Sequence, residues 1–413
     1  MFETVTEIGV ATDGRYEAEV AVVGGGPAGL TAAIALAGAG VSTALVAAPA
    51  TRADNRTTAL LAGSVTALDA LGVWANCRAQ AAPLSAMRIV DDTDRLWRAP
   101  EVRFEAAEIG LEAFGWNIEN RHLVAALQAR AGEIATLLRV DAAAQAVAVD
   151  EDQVTVTLAG GGALATRLIV AADGRRSLCR AAAGIDTESR SYPQTALTFN
   201  LGHARPHRDI STEFHTAHGP FTLVPLPGAR SSLVCVVAPD EAERIERLAP
   251  ADLDWEMERR AHSILGKVKI EPGHGVFGLG VETARRFAAR RVALIGEAAH
   301  VIPPIGAQGL NLGLRDAATI GELVVAARRS GGDIGAADVT DEYDHRRRAD
   351  VKSRAAAVDL LNRSLLSDFL PTQGARGLGL YLLDRIGPLR RVMMREGVAP
   401  RLAEPRLMRG EAL

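Results

Sequence analysis

The chain has little of what marks secreted, metal-binding or nucleic-acid-binding proteins. Only three cysteines occur in 413 residues, Cys77, Cys179 and Cys235, and no two of them form a CxxC pair. An odd, scattered set argues against a disulfide framework and indicates reduced thiols in a cytosolic protein. No histidine lies at a metal-ligand spacing, so we expect no metal. The formal net charge of −4, without a basic stripe, excludes nucleic acid as a partner.

The chain also lacks a signal peptide pattern, because residues 1–19 are acidic and contain no apolar core. Residues 20–51 carry no charge and could be taken for a membrane span. The glycine-rich run 24–27 breaks this stretch into a short strand and a short helix. We therefore predict a buried strand–helix–strand unit. We also predict a cytoplasmic protein that could sit peripherally on the inner face of the membrane.

A glycine pattern, Gly24-x-Gly26-x-x-Gly29, follows the first predicted strand and opens the first predicted helix. In this context the glycines permit a tight turn, close approach of a pyrophosphate, and close packing of helix on strand. Pro27 suits the first helical turn, where its missing N–H costs nothing. The pattern favours a dinucleotide cofactor over a glycine-rich turn that binds none. The residues expected at the phosphates are Gly24, Gly26, Pro27, Ala28 and Gly29.

The second predicted strand ends in Ala47 and Ala48, where an acidic residue would normally bind the adenosine ribose. The ribose contact must then come from backbone, from water, or from a nearby side chain. The candidates are Arg52, Asp54 and Arg56.

A second pattern joins an apolar strand to a helix through Asp173 and Gly174, and Ser177 and Arg180 follow within one helical turn. Taken alone, this pattern is an ordinary strand, turn and capped helix. Its position between the other two motifs favours a cofactor-binding role for Asp173 and Gly174.

The run from Gly296 to Asp316 is the most specific pattern, because a Pro/Gly turn leads into an Ala- and Leu-rich helix. A turn that directs backbone N–H groups at a helix N-terminus makes a site for negative charge. We interpret this run, with the early glycines, as a flavin site. Glu297 would accept hydrogen bonds from the ribitol chain. The N–H groups of Gly309, Leu310 and Asn311 would stabilise the reduced ring.

His300 and Asp316, two polar residues in this run, could be taken for catalytic residues. A histidine in an Ala-rich stretch is more often packed and hydrogen-bonded, and we predict this for His300. We expect Asp316 to fix the following helix.

In this order the three segments resemble those of the class A FAD-dependent aromatic monooxygenases, the para-hydroxybenzoate-hydroxylase-like family. Arg121 is similar to the family arginine that meets the flavin, and Glu297 stands where the family usually has Asp. The resemblance implies FAD-binding residues that include Arg56, Arg121, Asp173, Gly174, Gly296, Glu297, Gly309, Leu310 and Asn311. It also implies a flavin-ring loop with Pro304 and Gly306.

Within the family the chain looks most like the ubiquinone-biosynthesis ring hydroxylases, on the segments 54–60, 71–74, 219–227 and 359–363. The resemblance implies FAD as cofactor and NADH or NADPH as co-substrate. It implies hydroxylation by O2 of an aromatic ring, here a polyprenylated phenol. The substrate would contact Phe221, Pro225 and Pro304. No side-chain acid or base is assigned.

The order of elements predicts an α/β fold: a discontinuous Rossmann-like FAD-binding domain, an inserted sheet-rich α+β substrate domain, and a helical C-terminal tail. The predicted bounds are a polar lead-in at 1–18, the FAD-binding domain at 19–85, 115–185 and 285–330, the substrate domain at 86–114 and 186–284, and the helical region at 331–413.

Residues 385–409 carry seven arginines against two glutamates, interleaved with Leu389, Val392, Met393 and Met394. This stretch could rest on anionic lipid or on a partner in a quinone-synthesis complex, although a solvated helix face is the favoured interpretation. Three other functions stay open. They are hydroxylation of a soluble aromatic acid of the salicylate or kynurenine type, reduction of isoprenoid double bonds, and a non-catalytic flavoprotein of such a complex.

Overall fold

The apolar runs of the sequence pair into two large sheets, with a small third sheet between them. The computed structural model describes residues 15–49, 56–93, 98, 100–304, 307–366, 385–398 and 404–413. The strands of the described residues are β1 (Arg15–Val23), β2 (Thr43–Val46), β3 (Thr57–Leu61), β4 (Ala81–Pro83), β5 (Ala86–Asp91), β6 (Val102–Glu105), β7 (Gly115–Glu119), β8 (Leu137–Val140), β9 (Ala144–Val149), β10 (Val154–Leu158), β11 (Ala163–Ala171), β12 (Thr187–His203), β13 (Ile210–Thr216), β14 (Gly219–Leu226), β15 (Arg230–Val237), β16 (Val268–Ile270), β17 (Gly275–Ala284), β18 (Ala288–Ala289), β19 (Val292–Leu294) and β20 (His300–Val301).

Helices cover and connect the sheets. They are α1 (Pro27–Gly38), α2 (Ala62–Ala70), α3 (Asn120–Gly132), α4 (Leu178–Ala182), α5 (Pro239–Glu246), α6 (Pro250–Arg260), α7 (Gln308–Arg329), α8 (Ala337–Leu366) and α9 (Gly387–Val398).

The first sheet has the order β18-β19-β11-β1-β2-β8, and β10 and β9 extend it beside β11. Its central strands are parallel, with β1 between β2 and β11. Parallel strands are covered on both faces, which is why β1 and β11 read as continuous apolar runs. Helix α1 consists mostly of Ala, Gly and Leu and is buried from residue 29 to 37 against α3 and α7. The uncharged stretch 20–51 is therefore largely a strand–helix–strand core.

The second sheet has the order β20-β17-β12-β15-β14-β13-β5-β6. Most of its strands lie between β11 and β19 in the chain, but β5 and β6 precede β11 and β20 follows β19. It is antiparallel except where β13 pairs with β5. One face is apolar and packs on α5 and α6 through Leu197, Phe199, Phe221 and Leu233, among others. Because side chains alternate between the faces of a strand, the even-numbered residues of β12 and β15 lie on the opposite face.

The mixed α/β architecture confirms the predicted fold class. Several predicted elements differ from the observed ones. The residue pattern over 58–71 predicts one helix, but this segment begins as strand β3, because it pairs with β7 before α2 starts. The pattern over 140–149 predicts one strand, whereas the structure has the end of β8 at 140 and a separate strand β9 from 144. Strand β1 starts at Arg15, inside the expected polar lead-in, because it continues its ladder with β11. Helix α5 was not predicted, although Pro239 followed by two acids is a helix-start signal.

The C-terminal residues 404–413 pack on α2 and α7. Within the described ranges, no helix is both long enough and apolar enough to cross a membrane. The three cysteines are free and buried, and burial raises the pKa of Cys77 to about 11 and that of Cys235 to about 12.

Candidate active site

The three sequence motifs meet at the carboxyl ends of β1 and β11. Gly24 is so close to the second motif that a Cβ there would lie 2.2 Å from the carbonyl oxygen of Ala172. Ala28 reaches the third motif, since a Cβ on Gly296 would lie 3.4 Å from the Cβ of Ala28. The structure therefore brings together three segments that are up to 270 residues apart in the sequence.

The N-terminus of α1 is open. Its N-cap, Gly26, makes no side-chain capping bond, and the first turn contains no acidic residue. A Cβ on Gly26 would meet nothing within 4 Å. Free N–H groups at a helix N-terminus beside open space suit a phosphate group. This end of the site fits the diphosphate of a dinucleotide. The glycines differ in their roles, because a Cβ on Gly29 would lie only 2.0 Å from the carbonyl oxygen of Gly24.

The predicted ribose end is formed by the end of β2. Ala47 lies against the glycine turn, and a Cβ on Gly25 would be 2.8 Å from its Cβ. The backbone carbonyl of Arg56 accepts a hydrogen bond from the N–H of Asn120 at 2.8 Å. Arg52 and Asp54 lie outside the described residues. How the ribose is bound stays a prediction.

Asp173 orders the turn of the second motif. Its Oδ1 accepts a hydrogen bond from Ser177 Oγ at 2.6 Å, and its Oδ2 accepts one from the N–H of Cys179 at 3.1 Å. Ser177 in turn caps α4 by accepting from the N–H of Arg180. The left-handed φ of 80° at Gly174 lets the chain turn after β11.

Arg180 links the second motif to the third, because its guanidinium donates to the carbonyl oxygen of Ala298 at 2.9 Å. In the sequence, Arg180 has only a position in the second motif. Only the fold shows that it bridges two segments more than a hundred residues apart.

The loop of the third motif leaves β20 through Pro303 and Pro304 and reaches α7 after Ala307. Gly306 lies outside the described residues. Ala307 has a left-handed φ of 55°, and the first turn of α7 has neither an acidic residue nor a side-chain cap. A second open helix N-terminus therefore occurs in the same site, with Gly309 and Leu310 half-buried at its start. Such a terminus suits an anionic ring.

Asn311 fixes the start of α7 by its side chain. Its Oδ1 accepts from the N–H of Leu61 at 2.9 Å, and its Nδ2 donates to the carbonyl oxygens of Ala59 at 2.8 Å and of Ala307 at 2.5 Å. Asn311 therefore joins α7 to β3, a role that the sequence did not indicate. Its backbone N–H was the predicted contact to the ring.

A buried charge network lies beneath the loop. Asp316 is fully buried and accepts hydrogen bonds from the N–H of Gly296 at 3.0 Å, from His300 Nε2 at 2.7 Å and from Arg347 Nε at 2.7 Å. Burial alone would raise the pKa of Asp316, but the charges and hydrogen bonds of His300 and Arg347 lower it. His300 is packed and hydrogen-bonded, as predicted. Asp316 also does what was expected of it, because it ties α7 to the turn at Gly296.

Glu297 is exposed and bonds to no other residue in the described parts of the chain. Its carboxylate is therefore free to accept hydrogen bonds from a polyol such as the ribitol chain. Gly296, which has a φ of 57°, places Glu297 next to the contact between α1 and α7.

Arg121 belongs to a charged cluster where β7 meets the second sheet. Its Nη2 lies 3.0 Å from Glu119 Oε1. Glu119 is buried. Its carboxylate also forms an ion pair with Arg230 at 3.3 Å and accepts a hydrogen bond from Asn200 Nδ2 at 3.3 Å. Burial would raise the pKa of Glu119, but Arg230 and Arg121 lower it. Asn117, also on β7, donates to Ser232 Oγ at 3.1 Å.

The predicted substrate residues fall in different places. Phe221 is buried in the core between the second sheet and α5 and α6, on the face turned away from β7, so that prediction is wrong. A single sequence gave the strand but not which face each residue occupies. Pro225 is buried, and its carbonyl oxygen accepts from Asn117 Nδ2 at 2.9 Å. Pro304 is half-buried in the loop.

The fold and the two open helix termini define a flavoprotein of the dinucleotide-binding class. A family model described as "FAD binding domain" matches residues 17–357. The chain belongs to this family, which confirms the predicted resemblance and makes FAD its cofactor.

Known proteins similar to the chain agree with this assignment. The ubiquinone hydroxylase UbiL of Rhodospirillum rubrum is 37% identical over 406 residues, with 96% of this chain and 94% of the relative covered. The 3-demethoxyubiquinol 3-hydroxylase of Escherichia coli K12 is 31% identical, with 90% and 96% covered. The crystal structure of p-nitrophenol 4-monooxygenase PnpA from Pseudomonas putida DLL-E4 superposes with a TM-score of 0.77 at 19% identity, covering 93% of this chain and 99% of that one, and so shares the fold.

Proposed function

We propose that this protein is an FAD-dependent monooxygenase that uses NAD(P)H and O2 to hydroxylate the ring of a polyprenylated phenol in ubiquinone biosynthesis. The observation that carries the proposal is the meeting of the three motifs between two open helix N-termini. Relatives at 37% and 31% identity that bear the names of ubiquinone and demethoxyubiquinol hydroxylases support the substrate class.

The chain's own residues would hold and orient the cofactor. The N–H groups at the start of α1 would bind the diphosphate, and Glu297 would bind the ribitol hydroxyls. The start of α7 would place its dipole at the pyrimidine side of the ring. Bound FAD supplies the redox and oxygen chemistry, which no protein side chain provides. Arg180 joins the second motif to the third, and Asp316 ties α7 to the turn at Gly296.

Arg121 would meet the flavin from α3, with Glu119 holding its guanidinium in place. Because Glu119 also bonds to Arg230 and Asn200 of the second sheet, the position of Arg121 depends on the substrate side of the molecule.

We include in the proposal the division into an FAD-binding domain and an inserted substrate domain. Strand membership supports it, since the first sheet draws on β1, β2, β8 to β11, β18 and β19. The second sheet draws on β5, β6, β12 to β17 and β20.

The proposal is tested with purified protein reconstituted with FAD, NADH or NADPH, and a phenol that carries a geranyl chain. We expect a flavin spectrum, NAD(P)H oxidation stimulated by the phenol, stoichiometric O2 uptake, and a product heavier by one oxygen atom. Product with a saturated isoprenoid bond and no O2 uptake would indicate a reductase. Turnover of salicylate or kynurenine alone would indicate a soluble substrate. A yellow protein that never oxidises NAD(P)H would indicate a non-catalytic flavoprotein.

As part of this proposal, helix α9 contacts a membrane surface. Arg390 anchors the helix, with its Nε 2.7 Å from Glu108 Oε2 and its guanidinium over Phe104. Val392 and Met393 project outward with 58% and 53% of their surface exposed. Exposed apolar residues beside arginines are typical of a helix that rests on anionic lipid.

Flotation on vesicles that contain phosphatidylglycerol tests the membrane contact. We expect the Val392→Glu/Met393→Glu double variant to lose binding, because two charges would enter the lipid interface. Trp255→Glu is the matched control, since Trp255 is 62% exposed but lies on α6. Equal binding by wild type and the double variant would leave α9 as a solvated helix.

A further inference from the structure

The second sheet has a polar pair on the face that the apolar core does not use. Glu213 and His215 lie two residues apart on β13, and His215 Nε2 is 2.8 Å from Glu213 Oε1. Thr222, opposite Glu213 on β14, donates to Glu213 Oε2 at 3.3 Å. Both side chains are largely enclosed, with 20% of Glu213 and 5% of His215 exposed.

Strand register shows which way this face is turned. Glu213 on β13 lies opposite Thr222 on β14, and Thr222 lies opposite Val234 on β15. Val234 is two residues after Ser232 in the same strand. Residues opposite each other in adjacent strands, or two apart in one strand, share a face. Ser232 is the residue that Asn117 of β7 binds, and Asn200, opposite Ser232, bonds to Glu119. The pair therefore lies on the face turned towards the FAD-binding strands.

An apolar strip lies beside the pair on the same face. His215 stands opposite Pro220, and this row continues through Val236, Ala196 and Phe277. Val236 and Ala196 cluster with Leu279 and with the half-buried Val234 and Phe277. The half-buried Val234 and Phe277 of this strip, with one hydrogen-bonding imidazole on the same face, match a phenol, which is a flat apolar ring with one acidic hydroxyl.

The hydrogen bonds of the pair fix the chemistry of the imidazole. Burial would raise the pKa of Glu213, but the hydrogen bonds from His215 and Thr222 lower it, so the carboxylate is ionised and accepts from Nε2. In a neutral imidazole whose Nε2 is the donor, Nδ1 is the acceptor. No residue of the described chain bonds to Nδ1 of His215, and this atom is not among the buried unpaired ones. A carboxylate that holds one imidazole nitrogen and leaves the other free is the arrangement of a general base.

We infer that His215 is the proton acceptor for the ring hydroxyl of the substrate, and that Glu213 is the residue that positions it. The O–H bond of the phenol breaks, the proton moves to Nδ1 of His215, and the ring is left as a phenolate. A phenolate is more electron-rich than a phenol and is the better acceptor of an oxygen atom. This inference rests on the proposed function and names the residue that the sequence left unassigned.

Other titratable groups lie near the pair. Tyr192 packs against the apolar strip, with the guanidinium of Arg190 over its ring. Asp91 stands opposite His215 on β5, and its carboxylate accepts from Thr93 Oγ1 at 2.6 Å. On β14, Thr222 and Pro220 face the pair and neither is titratable in this range. His262 and Asp92 form a second imidazole–carboxylate pair at 2.9 Å, where His262 contacts Phe214 of the apolar core.

The experiment compares His215→Asn with His262→Asn in FAD-loaded enzyme that already hydroxylates a geranyl-substituted phenol. We expect His215→Asn to lower the hydroxylation rate by about 100-fold, as loss of a general base does. The acidic limb of the rate–pH profile should disappear, and NADH oxidation should continue with little hydroxylated product. His262→Asn should match wild type in all three measurements. Glu213→Gln should shift the acidic limb, and Glu213→Asp should restore part of the rate.

A readout without turnover separates binding from catalysis. A chromogenic nitrophenol that binds the oxidised enzyme should show its phenolate absorbance on wild type and on His262→Asn, but its neutral spectrum on His215→Asn. An unchanged rate, pH profile and phenolate spectrum in His215→Asn would overturn the inference. Absence of hydroxylation in wild type would instead overturn the proposed function. Circular dichroism and flavin content confirm that each variant is folded and loaded.

Discussion

The proposed cofactor side and the proposed substrate side of this molecule use different chemical groups. The proposed cofactor side offers backbone N–H groups at two helix N-termini and the spaces left by glycine, and its early part spans only residues 24–29. The proposed substrate side offers side chains that meet only across neighbouring strands, such as Glu213 with Thr222 and Asn117 with Ser232. A site formed by backbone geometry can be recognised from a local sequence motif. A site formed on a sheet face shows in the sequence only as alternating residues along each strand.

Substitution of the glycines in the first motif is the most direct test of this comparison. Gly29→Ala should have the largest effect, because its Cβ would lie 2.0 Å from the backbone oxygen of Gly24 and neither can move easily. We expect a loss of about 4 kcal/mol or more in the free energy of unfolding, or no soluble protein. Thermal unfolding followed by circular dichroism measures it.

Gly26→Val is the matched control, because a Cβ at Gly26 meets nothing within 4 Å. This variant should fold normally but contain no flavin, because the side chain fills the space predicted for the diphosphate. A folded variant that stays yellow would place the phosphates elsewhere. Similar unfolding of both variants would remove the distinction between the two glycines.

Asp316→Asn tests the buried charge beneath the cofactor loop. We expect a loss of about 1.5 to 3 kcal/mol, since Arg347 and His300 would lose a charged hydrogen-bond acceptor while Arg347 keeps its ion pair with Asp350. Chemical denaturation at neutral pH measures this loss.

The pH dependence of the same variant gives a second measurement. The folded pKa of Asp316 lies below its ordinary value of 3.8, so its contribution to stability is full above 3.8 and is lost as the pH falls through the folded pKa. The difference between wild type and Asp316→Asn should therefore shrink at acidic pH. A constant difference would contradict the assigned charge.

Asn311→Ala should have an intermediate effect. It would leave the N–H of Leu61 and the carbonyl oxygen of Ala59 without their partner, at a cost of about 2 kcal/mol. Flavin affinity should fall as well, because α7 is no longer fixed to β3. Unchanged stability together with unchanged flavin affinity would show that water replaces the side chain.

Glu297→Asp should have the smallest effect. Glu297 is exposed, and no residue of the described chain depends on it, so unfolding should change by less than about 0.5 kcal/mol. FAD should stay bound, because the carboxylate is retained. Glu297→Ala is the comparison variant and should weaken flavin binding, measured by equilibrium dialysis. Equal affinity in both would remove the proposed ribitol contact.

The sequence predicted the local structure of the glycine motifs better than that of the second sheet, for a physical reason. Turns with glycine and proline have few allowed conformations, so the pattern at Gly24 and the run from Gly296 predict their own local structure. Residues on β13 and β14 look alike whichever face they occupy. This is why Phe221 was placed at the substrate when it lies in the core. The helix expected at 58–71 failed similarly, because pairing with β7 turns its start into a strand.

The sequence by itself determined the family, the cofactor and the fold class, because these depend on short patterns of backbone-restricting residues. Only the tertiary structure decided that Asn311 staples α7 to β3, that Arg180 joins two motifs, and that His215 has a carboxylate at one nitrogen. Each of these depends on contacts between segments far apart in the chain. Such contacts follow from how the strands pair and pack, and no local pattern records them.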